Sequence, residues 1–124
     1  MYREPLPEGC PPDAAEEIAT AREVFRLVSG QTVGDDDFRS QRAEKPNAVF
    51  RVTECEARGV SVFADRRDAD ERARRLPKFK GYFTCRVMLK PGAGRIQQTF
   101  RPSHHTWWPF AAFNILVDGE PEIV

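Results

Sequence analysis

Apolar positions along the chain follow two spacings, and the change between them marks out the elements. Ala14, Ile18, Ala21, Phe25 and Val28 recur at steps of three or four residues, which predicts a helix with one apolar stripe. Asp13 is suited to cap it, with Glu16 three residues on, and Gly30 is suited to stop it. A short helix from Phe38 to Ala43 is expected next, ended by Lys45-Pro46. The pattern then turns to that of strands, over Ala48–Thr53 and Gly59–Ala64. Asp65 caps a helix through Asp68, Ala69, Ala73 and Leu76, acidic at its start and carrying Arg72, Arg74 and Arg75 at its end, as the helix dipole favours. Pro77 stops it.

Tyr82–Leu89 is the strongest strand pattern in the chain. Pro91-Gly92-Ala93-Gly94 reads as a hairpin turn returning into a strand over Arg95–Phe100. Arg101–Pro109 reads as an aromatic, prolyl loop, and Ala112–Val117 as the last strand. Asp118-Gly119 is a turn signal, after which the tail from Glu120 to Val124 is placed for brief pairing. Residues 1–12, with four prolines, form an extended arm. This order predicts one α+β domain over residues 1–124, with N-terminal helices packed on a mostly antiparallel sheet of about five strands and one inserted helix.

Composition narrows the setting. With 124 residues, 40% apolar and 31% charged, the chain suits a single globular core. Nineteen basic residues balance nineteen acidic ones, so net charge draws it neither to nucleic acid nor to an anionic membrane. Met1–Pro5 lacks the apolar segment of a signal peptide, and no apolar run approaches the ~20 residues of a membrane span. Three cysteines without a CxxC suggest neither a disulfide framework nor a thiolate zinc site, and so a reducing, cytoplasmic setting. Cys85, within an apolar run, is expected to be a small buried hydrophobe.

Candidate chemistry concentrates in Ser103-His104-His105-Thr106-Trp107-Trp108-Pro109, which holds every His and Trp of the chain. Imidazole titrates near neutrality, and an indole stacks on flat rings, so His104, His105, Trp107 and Trp108 are candidates to bind a ligand. Core packing of the tryptophans is the structural alternative. Adjacent histidines point apart in an extended chain, and no third one exists to complete a zinc site. Asp35, Asp36 and Asp37 lack the spacing of a calcium loop and fit a helix N-terminus instead, so no metal is expected. Arg51, central in its predicted strand, could present a planar fork to phosphate or pair with Glu54 or Glu56. Ser61, between Val60 and Val62, faces away from both.

With Phe50-Arg51-Val52, Gly59-Val60-Ser61-Val62-Phe63 and Asp65-Arg66-Arg67-Asp68-Ala69 in that order, residues 50–117 resemble the ADP-ribosyltransferase-like superfamily. The resemblance implies that Arg51 and Ser61 hold NAD. That family's glutamate has no counterpart, since no Glu lies between Glu71 and Glu120, which implies a divergent member that binds without transferring.

Two functions follow. The first is a protein-interaction or accessory domain with a protein partner, contacting it through the proline arm and the Trp107-Trp108-Pro109 segment. The alternative is an NAD- or nucleotide-binding domain in which Arg51, Ser61 and the His104–Trp108 segment share one pocket. No complete catalytic set is visible, which favours the first.

Overall fold

A computed structural model describes all residues, 1–124. Seven strands form one antiparallel sheet: β1 (Glu16–Glu17), β2 (Arg22–Val28), β3 (Val60–Phe63), β4 (Phe83–Leu89), β5 (Gly94–Phe100), β6 (His104–Pro109) and β7 (Glu122–Ile123). They lie side by side as β1-β5-β6-β3-β2-β4-β7. The helices are α1 (Gln41–Glu44), α2 (Glu54–Ala57), α3 (Arg66–Arg75) and α4 (Ile115–Asp118), with a 3₁₀ turn at Asp35–Phe38 and another at Pro77–Phe79.

The α+β class stands, with seven strands instead of about five and helices that match the expected ones only at α3. The N-terminal helix is replaced by β1 and β2. In β2, Val24 and Val28 enter the larger core while Phe25 and Leu27 enter the smaller one on the opposite face. A strand buried on both faces reads as a near-continuous apolar run, which spacing alone does not separate from a helix. The expected short helix is a 3₁₀ turn followed by α1, whose N-cap Ser40 accepts from the Ala43 amide.

Residues 48–53 are not a strand. They join α1 to α2, with Val49 98% exposed and Phe50 beneath the Arg42 guanidinium, 4.8 Å from the ring centroid. Strand β3, helix α3 and strand β4 fall where the pattern put them, and Asp65 caps α3 by accepting from the Arg67 amide. β7 pairs with β4 as the tail was expected to pair. The expected last strand is instead α4, capped by Asn114.

Gly92-Ala93-Gly94 is not a hairpin turn between paired strands. β4 lies between β2 and β7, whereas β5 lies between β1 and β6, so the segment carries the chain across the sheet. Gly94 has φ of 131° and a Cβ there would stand 2.2 Å from the Trp108 carbonyl oxygen, so only glycine fits this corner.

The larger core gathers Val24, Val28, Val60, Val62, Val87, Leu89, Ile96 and Trp107 from the sheet, closed by Ile18, Phe38, Phe113 and Ile115. Cys85 is buried in it, and burial pushes its thiol up to about 11. On the opposite face, α3 lays Ala69 over Phe25, Leu27 and Phe63.

The cysteine reading is corrected by a disulfide between Cys10 and Cys55, which ties the proline arm to α2. The arm is held further along as well. The Arg3 amide donates to the Pro109 carbonyl (2.9 Å), and the Ser40 amide and hydroxyl donate to the Glu4 carboxylate at 3.1 and 2.5 Å.

Candidate functional site

The expected His/Trp loop is a strand, β6, threaded between β3 and β5. Its alternation separates the candidates: His104, Thr106 and Trp108 face one side, His105 and Trp107 the other. Both indoles are buried and bonded to backbone, Trp107 donating to the Ala93 carbonyl (3.1 Å) and Trp108 to that of Cys55 (2.9 Å). Gly59 makes room for Trp108, because a Cβ there would lie 3.1 Å from the indole nitrogen and 2.3 Å from the Thr106 methyl. The surface imagined around Trp107-Trp108-Pro109 is therefore interior.

His104 is buried between the Phe63 and Phe100 rings, edge-on to each at centroid distances of 5.3 and 5.2 Å. Its Nδ1 lies 2.9 Å from the Thr99 hydroxyl, which also meets the Thr106 hydroxyl at 3.0 Å. Burial, reinforced by Arg72, lowers its pKa to about 4, so the ring is neutral at pH 7. His105 is half-buried, its Nδ1 2.8 Å from the Ser103 carbonyl oxygen.

Arg51 is exposed in the bend before α2, outside the sheet. Glu54, one of its two expected partners, is held instead by Arg42 and Arg58 at 2.8 Å each, hydrogen bonds that lower its pKa to about 2. The arginine that does reach Ser61 is Arg26 of β2. β2 and β3 pair only at Phe25 and Phe63, and past that point Arg26 bridges the strands. It donates to the carbonyls of Ser61 (2.8 Å), Asp37 (2.7 Å) and Arg39 (3.2 Å). Burial lowers its pKa, partly offset by the charges of Glu44 and Asp37. Sequence reasoning misses it because a helical recurrence over this segment hides the strand that places Arg26 beside β3.

Arg51, Ser61, His104, His105, Trp107 and Trp108 thus do not share a pocket. No buried side-chain nitrogen or oxygen lacks a hydrogen-bond partner. The acidic triplet is likewise engaged: Asp35 with Arg3, Asp36 with Arg39, and Asp37 with the Gly34 amide.

The surface keeps an open groove where α3 ends. It has a volume of about 440 Å³ and is lined by Leu76, Pro77, Phe79 and Tyr82 together with Arg74, Arg75 and Lys80. Pro77 breaks the helix and the 3₁₀ turn brings Phe79 back against Tyr82, their rings 5.2 Å apart and near-perpendicular. Gly81, with φ of 82°, makes the turn into β4. Lys78 stands 5.1 Å from the centroid of the Phe79 ring. Arg74 is paired with Glu71, but Arg75, Lys78 and Lys80 are exposed and make no ion pair. From Arg72 to Val117 the chain has no carboxylate side chain, so this end of α3 is cationic although the whole is neutral.

No family model, curated protein or solved structure matches this chain.

Proposed function

We propose that the chain is a small protein-interaction domain whose partner docks on the face formed by the end of α3 and the turn into β4. One observation supports this reading above the others: Pro77 and Tyr82 are exposed and Leu76 and Phe79 half-buried there, beside Arg75 and Lys80, which make no ion pair. The interior offers no comparable opening, since the groups flagged for chemistry are dispersed and internally bonded. The contact surface is thus moved from the proline arm to α3. The Cys10–Cys55 bond favours an oxidising compartment over the reducing one expected from the cysteine count. No helix is long and apolar enough to cross a membrane.

The test is affinity capture from an extract of the source organism with the wild-type protein and with the double variant Lys78→Glu/Lys80→Glu. Both positions are exposed, so the variant keeps its circular dichroism and melting temperature. A partner retained by the wild type and reduced about tenfold or more with the variant is expected, as reversal of charges at an interface demands. Equal capture by both proteins removes this face from the function.

A second reading, NAD binding, looks for an arginine beside the Ser61 hydroxyl, but Arg51 lies outside the sheet and Arg26 reaches only the Ser61 backbone carbonyl, its side chain and that of Ser61 pointing to opposite faces of the sheet. The guanidinium is engaged by backbone carbonyls, which makes this the lesser reading. Saturable shifts of the Arg26 and Ser61 amide signals on titration with NAD⁺ would support it. Silence at millimolar NAD⁺, where a site of about 4 kcal/mol registers, ends it.

A further inference from the structure

We infer that the occupant of the α3 groove is an extended acidic segment of a partner protein, with aromatic or aliphatic side chains between its carboxylates. This rests on the interaction reading above and specifies its chemistry. The groove supplies two kinds of contact side by side. Arg75 and Lys80 are unpaired cations lining it, Lys78 stands beside it 5.1 Å from the centroid of the Phe79 ring, and Leu76, Pro77, Phe79 and Tyr82 supply its apolar surface. A segment carrying charge alone would leave that apolar surface uncovered, and one carrying apolar groups alone would leave the cations unneutralised. Alternation in an extended chain satisfies both, because neighbouring side chains point opposite ways.

The surroundings favour a short peptide over a nucleic acid. One turn back along α3 lies a second groove, of about 490 Å³, lined entirely by polar residues: Arg67, Asp68, Asp70, Glu71 and Arg74. Its three carboxylates outnumber its two arginines, and Asp70 and Glu71 are already paired with Arg66 and Arg74, so it does not extend the basic surface along a phosphate backbone, whereas a peptide is free to end its charges within the groove. The neutral net charge of the chain adds no long-range attraction for a polyanion.

The probe is a fluorescein-labelled Glu-Tyr repeat peptide, titrated with the intact, disulfide-bonded protein and followed by fluorescence anisotropy. Oligothymidylate and a Lys-Tyr repeat peptide are the controls. Saturable binding of the Glu-Tyr peptide is expected, weakened about tenfold by Lys78→Glu/Lys80→Glu and weakened again by added salt. Tyr82→Ala is expected to weaken it while Tyr82→Phe does not, which separates the groove from a general cationic surface. Oligothymidylate binding as tightly as the peptide, or no peptide binding at millimolar protein, overturns the inference. In either of those cases, a partner still captured by the wild type and lost by the double variant leaves the interaction reading standing with a different occupant. Loss of that capture difference as well removes both.

Discussion

At the scale of single residues, the polar groups that look most reactive are those most completely committed to the fold. His104 sits edge-on to two aromatic rings with its Nδ1 against Thr99, and its pKa falls from 6.5 to about 4 because burial disfavours the imidazolium. The consequence for stability has a definite sign. Above pH 6.5 the ring is neutral in both folded and unfolded chains and contributes no pH dependence. Below it the unfolded chain takes up a proton that the folded one refuses, so stability falls between about pH 6.5 and pH 4, by up to roughly 3 kcal/mol. Urea denaturation across that range is expected to show the decline, and His104→Asn, which keeps a polar atom near Thr99 but does not titrate, is expected to flatten it. An unchanged slope in that variant would mean that other groups set the acid limb. Arg26 is the counterpart on β2, a cation whose nitrogens fasten three backbone carbonyls where two strands part.

Elements were legible where one local rule dominated. Asp65, the Arg-rich last turn and Pro77 bracket α3 without help from elsewhere, and Phe83–Leu89 carries enough β-branched and aromatic character to be a strand in most settings. The misreadings share a cause, which is that long-range pairing decides between local options. Arg22–Val28 has a helical recurrence, but β3 and β4 pair with its two edges and the two cores cover its faces, which together draw it into the sheet. Ala48–Thr53 alternates like a strand yet has no strand beside it, and Phe50 is covered by Arg42 instead. His104–Pro109 has the look of a loop, with Pro102 before it and Pro109 at its end, while its interior is held by ladders on both sides. The candidate site was legible only as a list of residue types. Alternation in β6 sends adjacent histidines to opposite faces, and the docking groove depends on a helix end meeting a turn, which composition records merely as a run of Lys, Arg and aromatic residues.

For the molecule as a whole, stability is shared between the sheet and a covalent tie. The disulfide joins positions 45 residues apart, and closing a loop of that size restrains the unfolded chain by about 4 kcal/mol on a chain-entropy estimate. A dithiol reductant is therefore expected to lower the urea midpoint, and Cys10→Ser/Cys55→Ser to reproduce the reduced midpoint without further sensitivity to reductant. Coincident midpoints for the oxidised and reduced protein would show that the arm's other contacts, among them Arg3 to Pro109 and Glu4 to Ser40, suffice to hold it.

The short strands at the two margins of the sheet bear on how the protein behaves when crowded. β7 pairs with Cys85 and Arg86 of the seven-residue β4, with single bonds from the Val124 amide to the Thr84 carbonyl and from the Met88 amide to the Gly119 carbonyl beside it, and β1 pairs with Arg95 and Ile96 of β5, with the Ile18 amide donating to the Gly94 carbonyl. A two-residue strand frays at small cost, and Phe-Thr-Cys-Arg-Val-Met-Leu is rich in β-formers and free of proline. Arg86 with Glu122 and Lys90 with Glu120 fasten that margin by ion pairs, which salt screens. Resistance to self-templated aggregation is thus set by a few charges beside the last strand, and a protein with an intact core can still add strand to strand once they are screened.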